Sequence, residues 1–335
     1  MNKLSLLFLA LFSFTFVACD DDEEEPINDV DAIELFVSSG TSSQITVLDY
    51  TNDDRVDIKT AAVPYADADG IYYKEGDDRL FQVSRTNNQV AIYDNFRQSI
   101  EDGTALTPTY STMDFTNARG LASDGDKLVV AQDGNAANGE TNKLIVYNIT
   151  SNGLNLLRSH TVNFNVWGLE IEDGRLYVIE DNTNRLSIFD DFFDEEDGSI
   201  EADKSIGIEG LVRTHGIHFV DDGDRMILTD VGDGGVDDDG AIFVIDDFKN
   251  KVNALNTGDM LMQDQLKTIK GSATLLGNPV DLAYDKETEM IYVAERARDG
   301  GRVLVFDYPE TSNSDAPVRS EPVPGAASIH LYTDR

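Results

Sequence analysis

The sequence predicts an all-β protein, a six-bladed propeller whose ring is closed by the C-terminal strand. Three observations lead to this fold class. One repeat unit recurs along the chain, each unit consists of short apolar stretches joined by Gly/Asp turns, and the two chain ends carry complementary parts of one unit. Repeats of roughly 40–50 residues built from short strands are typical of β-propellers.

The repeat unit opens on a small anchor residue and continues as three apolar stretches, of which the last ends on Asp or Asn. One copy runs WGLEIEDGRLYVIEDNTNRLSIFD from Trp167. The anchors lie 50, 48, 48, 65 and 47 residues apart, at Gly70, Gly120, Gly168, Gly216, Asp281 and Ser328. The turns between stretches are too short for parallel crossovers, so the strands are predicted to pair antiparallel.

The two chain ends carry complementary parts of one repeat unit. The terminal segment ASIHLYTD matches only the first strand of a unit, and IELFVSSGTSSQITVLD near the start matches only the second and third. We therefore expect the strand at about 328–334 to complete the N-terminal blade, which leaves no free edge within the ring. Outer fourth strands are predicted at residues 56–63, 107–115 and 154–164. No seventh anchor occurs between 246 and 278, where we expect the fifth blade's outer strand and an insertion.

The N-terminal segment predicts export. Residues 1–18 combine Lys3 with a 14-residue apolar run, as in a signal peptide. The end of that run and Cys19 resemble the bacterial lipobox, which implies lipidation of Cys19; an ordinary signal peptide with an incidental cysteine is the alternative. Residues 19–31 are the predicted acidic tether, and residues 32–335 the propeller. Acids behind the cysteine resemble the surface-export signal of Bacteroidetes lipoproteins, which implies an outer-membrane protein with a membrane anchor, exposed at the cell surface; a plain acidic spacer is the alternative.

Composition limits the partners. The formal charge is −37, which repels phosphate backbones and makes nucleic acid a poor partner, while attracting cations. Cys19 is the only cysteine, so neither an internal disulfide nor, after lipidation, a disulfide-linked partner is expected.

One mouth of the central channel is the predicted site. In the usual blade topology it is formed by the residues before each first strand and by the turns between second and third strands. These are Asp69, Arg119, Trp167, His215 and Val280, and residues 85–88, Gln132, Asp133, Glu180, Asp181, Asp230, Asp233, Glu295 and Arg296. We predict ligand binding by Arg119, Trp167, His215, Glu180 and Asp181. Trp167 would stack on a sugar ring or anchor a partner; filling the channel is the alternative.

The repeats resemble the NHL and YVTN type and the senescence-marker-protein/gluconolactonase superfamily of six-bladed propellers. In gluconolactonase-like members a Pro-Asn-Gly opening and a later aspartate bind a divalent cation. Asp230 matches that aspartate, His215 stands where the asparagine would be, and the family's glutamate has no counterpart. The resemblance implies a metal, Ca²⁺ or another divalent cation, at Asp230 and Asp233, with imidazole favouring a transition metal. His215 is otherwise a channel histidine bonded to backbone.

Three functions remain open at this stage. The first is a binding scaffold for a protein or glycan, displayed by a cell-envelope lipoprotein. The second is a metal-dependent hydrolase of lactonase or phosphotriesterase type, and the third is phytase-like chemistry, which the expected scarcity of basic residues at the mouth disfavours. The acidic loop 230–240 either binds an ion or is simply solvated. No G-x-S-x-G, H-E-x-x-H, P-loop or C-x-x-C motif occurs.

Overall fold

The computed structural model describes residues 32–52, 54–220 and 224–335. The predicted signal peptide, Cys19 and the acidic tether lie outside the described residues. Six separate sheets of four or five strands form the six blades, which confirms the predicted fold class. Within the described residues, no helix has the length and apolar character needed to cross a membrane.

Each blade is numbered in chain order, and its strands are given from the centre outwards. Blade 1 contains β26 (Ala326–Asp334), β1 (Ala32–Ser39), β2 (Gln44–Asp49) and β3 (Asp57–Ala62); blade 2 contains β4 (Ala68–Lys74), β5 (Arg79–Ser84), β6 (Val90–Asp94) and β7 (Thr109–Tyr110); blade 3 contains β8 (Ala118–Asp124), β9 (Lys127–Gln132), β10 (Asn142–Thr150) and β11 (Gly153–Val162), with β15 (Gly198–Ser199) on its outer edge. Blade 4 contains β12 (Val166–Glu172), β13 (Arg175–Glu180), β14 (Arg185–Phe189) and β16 (Lys204–Ile208), with β20 (Met260–Leu261) on its outer edge; blade 5 contains β17 (Thr214–Val220), β18 (Arg225–Asp230), β19 (Ala241–Asp246) and β21 (Lys267–Lys270); blade 6 contains β22 (Pro279–Asp285), β23 (Met290–Glu295), β24 (Arg302–Asp307) and β25 (Arg319–Pro322).

The ring closes between the two ends of the described chain. Strand β26 pairs antiparallel with β1 from Ala32 opposite Asp334 to Ser39 opposite Ala326. The predicted closure is confirmed, and the strand begins two residues earlier than its anchor, Ser328. The three outer strands expected at 56–63, 107–115 and 154–164 are present as β3, β7 and β11.

The long spacing before the last blade is an insertion, as predicted. It begins with the helix α2 (Phe248–Asn253), and β20 then adds a parallel strand to the edge of blade 4 before β21 completes blade 5. A second short helix, α1 (Phe96–Asp102), follows β6. The sequence showed no helical period because both helices span two turns or fewer and bury only one or two residues.

Glycine at the anchor positions is required by close approach between neighbouring inner strands. A Cβ on Gly70, Gly120 or Gly168 would lie 2.7, 2.7 or 2.1 Å from a backbone carbonyl oxygen of the next blade. Each inner strand of blades 2 to 6 also shifts register beside its anchor, as β-bulges do. The residues preceding the anchors are therefore drawn towards one another at the channel mouth.

Candidate functional site

The floor of the channel mouth is a stacked pair of rings. Trp167 and His215 precede the anchors of blades 4 and 5, and their rings lie parallel, with centroids 3.7 Å apart and an interplanar angle of 4°. Both residues are buried, with only 6% and 3% of their surfaces exposed. The close contact between β12 and β17 at Gly168 brings the two rings together.

Arginines surround the tryptophan. The guanidinium carbons of Arg119, Arg85 and Arg213 lie 4.2, 5.4 and 5.8 Å from the Trp167 ring centroid. Because the imidazole of His215 occupies one face of the indole, Arg119 must cover the other. Cation–π contacts of this kind are favourable at these distances, but they leave neither face of Trp167 open to a sugar ring.

Three of the arginines are held by carboxylates from the mouth. Arg85 pairs with Asp69 at 2.7 Å, and Arg119 pairs with Asp133 at 2.9 Å. The Nε of Arg213 lies 3.2 Å from Oδ1 of Asp181. These six residues come from blades 2, 3, 4 and 5. The ion pairs fix the side chains from several blades around one axis.

Arg296 is the exception in this cluster. It follows β23 and is half-buried; its backbone N–H donates to the carbonyl oxygen of Asn278, but its guanidinium makes no hydrogen bond or ion pair with any residue that the structure describes. Burial lowers the pKa of its guanidinium, and the nearby positive charges of Arg85, Arg119 and Arg213 lower that pKa further, against the opposing effect of Asp69. We call Arg85, Arg119, Arg213 and Arg296 the arginine mouth. It is a local cluster of guanidinium groups in a chain whose formal charge is −37.

His215 and Asp181 form a buried pair under the arginine mouth. Nε2 of His215 lies 3.2 Å from Oδ1 of Asp181, while Nδ1 is buried and has no hydrogen-bond partner among the described residues. Burial lowers the pKa of His215 to about 4, although Asp181 opposes that shift, so the imidazole is neutral at pH 7. Burial alone would raise the pKa of Asp181, but His215 and Arg213 hold it below its ordinary value.

The other predicted site residues lie apart from this pair. Oε1 of Glu180 accepts hydrogen bonds from the hydroxyls of Ser187 and Ser205, within blade 4. Asp233 lies in the exposed loop after β18, where its Oδ1 accepts the N–H of Gly235. The structure thus brings Arg119, Trp167, His215 and Asp181 into one site, and Glu180 and Asp233 have other partners.

Asp230 is fully buried rather than part of a solvated loop. Its Oδ1 accepts the backbone N–H groups of Val212 and Arg213, and its Oδ2 has no partner in the described part of the chain. Burial raises the pKa of this carboxyl, and the two backbone donors partly offset the rise. Among residues 32–52, 54–220 and 224–335, no group of three or more His, Cys, Asp or Glu side chains is placed to hold a metal ion.

The expected scarcity of basic residues at the mouth is wrong. Arg85 and Arg296 were placed there by the blade topology, but Arg213 precedes β17 at a position that Asp67, Asn117, Asn165 and Asn278 occupy in other blades. Its proximity in sequence to His215 was the available signal. Because each arginine comes from a different blade, no local motif reveals the cluster.

Comparison with known proteins identifies the fold alone. No family model matches the chain, and no curated protein matches it significantly. Two structures of candidate 6-phosphogluconolactonases are similar: one from Bacteroides fragilis (13% identity, 91% of this chain and 99% of that chain, TM-score 0.59) and one from Bacteroides uniformis (12% identity, 91% and 100%, TM-score 0.60). A chain of a nidogen/laminin complex is similar at 12% identity, covering 89% and 98%, with a TM-score of 0.60.

Proposed function

We propose that the arginine mouth binds a ligand through an anionic group, a carboxylate or a phosphate. The observation that carries this proposal is Arg296, a half-buried guanidinium beside three others that forms no ion pair with any described residue. An unpaired buried charge is costly, and a bidentate carboxylate or phosphate is the partner that guanidinium geometry fits. Asp69, Asp133 and Asp181 keep the other arginines in place around it.

This proposal narrows the binding-scaffold function. The ligand would be an acidic sugar or an acidic group on a glycan or protein, bound at the mouth of a propeller that Cys19 anchors to the outer membrane. The lipobox-like sequence and the acidic tether support the anchor. The covered faces of Trp167 argue that recognition uses charge and hydrogen bonds rather than stacking on the indole.

The test is calorimetric titration of the protein with gluconate and 6-phosphogluconate, with glucose as the neutral comparison. We expect both acids to bind and glucose not to bind. Arg296→Gln should weaken binding about tenfold or more, since a hydrogen bond to a charged group contributes about 1.5–3 kcal/mol. Arg55→Gln is the matched control, because Arg55 is 69% exposed on the β2–β3 turn, where it pairs with Asp57. Equal affinity for glucose, or unchanged binding by Arg296→Gln, would reject the proposal.

A second candidate function is hydrolysis of a phosphorylated sugar lactone. It is favoured by the neutral His215, a general-base candidate whose ring is oriented by the contact of Nε2 with Asp181. Two structural neighbours are named as candidate 6-phosphogluconolactonases, and the phosphate of such a substrate suits the arginine mouth. The measurement is pH-stat hydrolysis of 6-phosphogluconolactone. A rate above the spontaneous one that disappears in His215→Gln supports it, whereas binding without acceleration leaves only the binding function.

A further inference from the structure

A second chamber lies on the other side of the Trp167–His215 floor. The channel there holds a cavity of about 410 Å³, lined by the inner strands of all six blades. This volume falls within the range of roughly 300–1,000 Å³ usual for small-molecule sites. Glu170 and His218, at the end away from the floor, have side chains 23% and 31% exposed, so that end opens to solvent.

The charges of this cavity are opposite to those of the arginine mouth. Its described lining includes the carboxyl groups of Asp69, Glu170 and Asp281, and contains no lysine or arginine. Asp69 is paired with Arg85 from the mouth side, and Glu170 lies 3.3 Å from Nδ1 of His218. Asp281 has no basic partner among the described residues. The cavity therefore favours a cation over an anion.

Asp281 occupies an unusual position in the repeat. Four blades have glycine at the anchor, whereas blade 6 places this carboxyl group there. Ser328, the anchor of blade 1, donates its hydroxyl to Oδ2 at 2.6 Å, and the N–H of Ile329 donates to the same atom at 3.0 Å. The N–H of Leu282 donates to Oδ1. These bonds fix the carboxyl in the cavity wall, where burial and the charge of Asp69 raise its pKa to about 6.

The rest of the wall combines polar and apolar groups. Ser123, Ser328 and the almost fully buried His215 also line the cavity. Tyr72 and His330 add aromatic surface, with ring centroids 5.4 Å apart. A ligand suited to this wall brings N–H donors, positive charge and a small apolar body.

We propose that the cavity binds the primary ammonium group of a small organic amine, with Asp281 as its counter-ion. An ammonium supplies three donors to a wall that offers acceptors, and its carbon chain contacts Tyr72 and His330. The described residues place no three metal ligands together, which favours an organic cation over a metal ion. This site is separate from the arginine mouth, and the proposal does not rest on the function assigned to that mouth.

The experiment is titration of the whole folded protein with n-butylammonium at pH 7.5, compared with 1-butanol, which lacks the charge. We expect the amine to bind and the alcohol not to bind. Asp281→Asn should weaken amine binding at least tenfold. Asp307→Asn is the matched control, because Asp307 is an exposed residue of the same blade and its substitution changes net charge equally.

A second variant covers the case in which Asp281→Asn fails to fold. Glu170→Gln changes a partly exposed side chain near the open end of the cavity, and it should also weaken amine binding several-fold. The absence of amine binding to the unmodified protein would overturn the proposal. Equal binding of 1-butanol, or full affinity in folded Asp281→Asn, would overturn it too.

Discussion

Asp230 holds the backbone that carries Arg213 into the arginine mouth. Its Oδ1 lies 2.6 Å from the backbone nitrogen of Arg213 and 3.0 Å from that of Val212. The guanidinium of the same arginine reaches Asp181 and the rim of the Trp167 ring. A residue that matched a metal ligand by sequence thus has a defined structural partner, which changes what its substitution should do.

Asp230→Ala is expected to destabilise the fold. The change leaves two backbone N–H groups without their acceptor next to a buried site, and each such loss costs about 1–3 kcal/mol. Asp230→Asn retains an amide oxygen at the same place and should cost clearly less. Urea unfolding of both variants measures the difference. Equal stability of wild type and Asp230→Ala would show that these hydrogen bonds contribute little.

A metal ion bound by Asp230 and Asp233 remains a prediction. Thermal melting of the protein with and without added ions distinguishes it from the structural role of Asp230. If a divalent cation binds there, millimolar Ca²⁺ or Zn²⁺ should raise the melting temperature above its value in EDTA, as any ligand of the folded state does. Asp233→Ala should abolish that rise, because it removes one of the two proposed ligands. Asp233 is exposed, so this change leaves the hydrogen bonds of Asp230 intact. A melting temperature that stays at its EDTA value with both ions would contradict the prediction of a metal site here.

The regular repeat made the fold predictable, but it gave no signal for how the side chains of the site pack together. Anchor spacing and the matching chain ends determined the number of blades and the closure through β26. Blade topology also placed Arg119, Trp167, His215 and Asp181 at one mouth. It could not show that Trp167 lies between His215 and Arg119, because that arrangement depends on three blades whose relative distances are set by packing.

The position of Asp230 shows a second limit. Its place at the end of β18, beside an aspartate-rich loop, suggested a solvated or metal-binding carboxylate. The structure buries it because the connection into β17 folds back over the end of β18. The backbone N–H groups of Val212 and Arg213 in that connection need an acceptor, and Oδ1 of Asp230 provides it. The same contact recurs in blade 6, where Glu295 accepts the N–H groups of Gly277 and Asn278, but the residue type at this position differs between blades and gave no sequence signal.

The free energy of unfolding should decrease at acidic pH, and His330 is expected to contribute to that decrease. Burial lowers the pKa of this histidine to about 4 from 6.5, and His218 contributes to the shift. The unfolded chain therefore binds the proton first, and stability present above pH 6.5 is lost as the pH falls towards 4. Asp281 acts in the opposite direction over part of this range, because its folded pKa is raised to about 6.

The comparison with His330→Gln isolates the histidine from that opposing group. Between pH 7 and pH 4.5 we expect the variant to lose less unfolding free energy than the wild type, by up to about 1.4 kcal/mol per pH unit for one proton. Urea unfolding at pH 7.0, 6.0, 5.0 and 4.5 gives the two curves. Parallel curves would show that His330 keeps an ordinary pKa in the folded protein, through water in the cavity.

Gly168→Ala should disrupt the contact on which the arginine mouth depends. The added methyl would lie 2.1 Å from the carbonyl oxygen of His215 and 2.9 Å from Cγ2 of Ile217, so β12 and β17 must move apart. Overpacking of this kind costs about 1–3 kcal/mol or more, and it should also separate the Trp167 and His215 rings.

Gly76→Ala is the control, because its added methyl meets nothing within 4 Å. Denaturant unfolding gives the loss of stability, and the fluorescence of Trp167, the only tryptophan, reports the change in its surroundings. A Gly168→Ala protein with unchanged stability and unchanged fluorescence would mean that the inner strands are not in the close contact described.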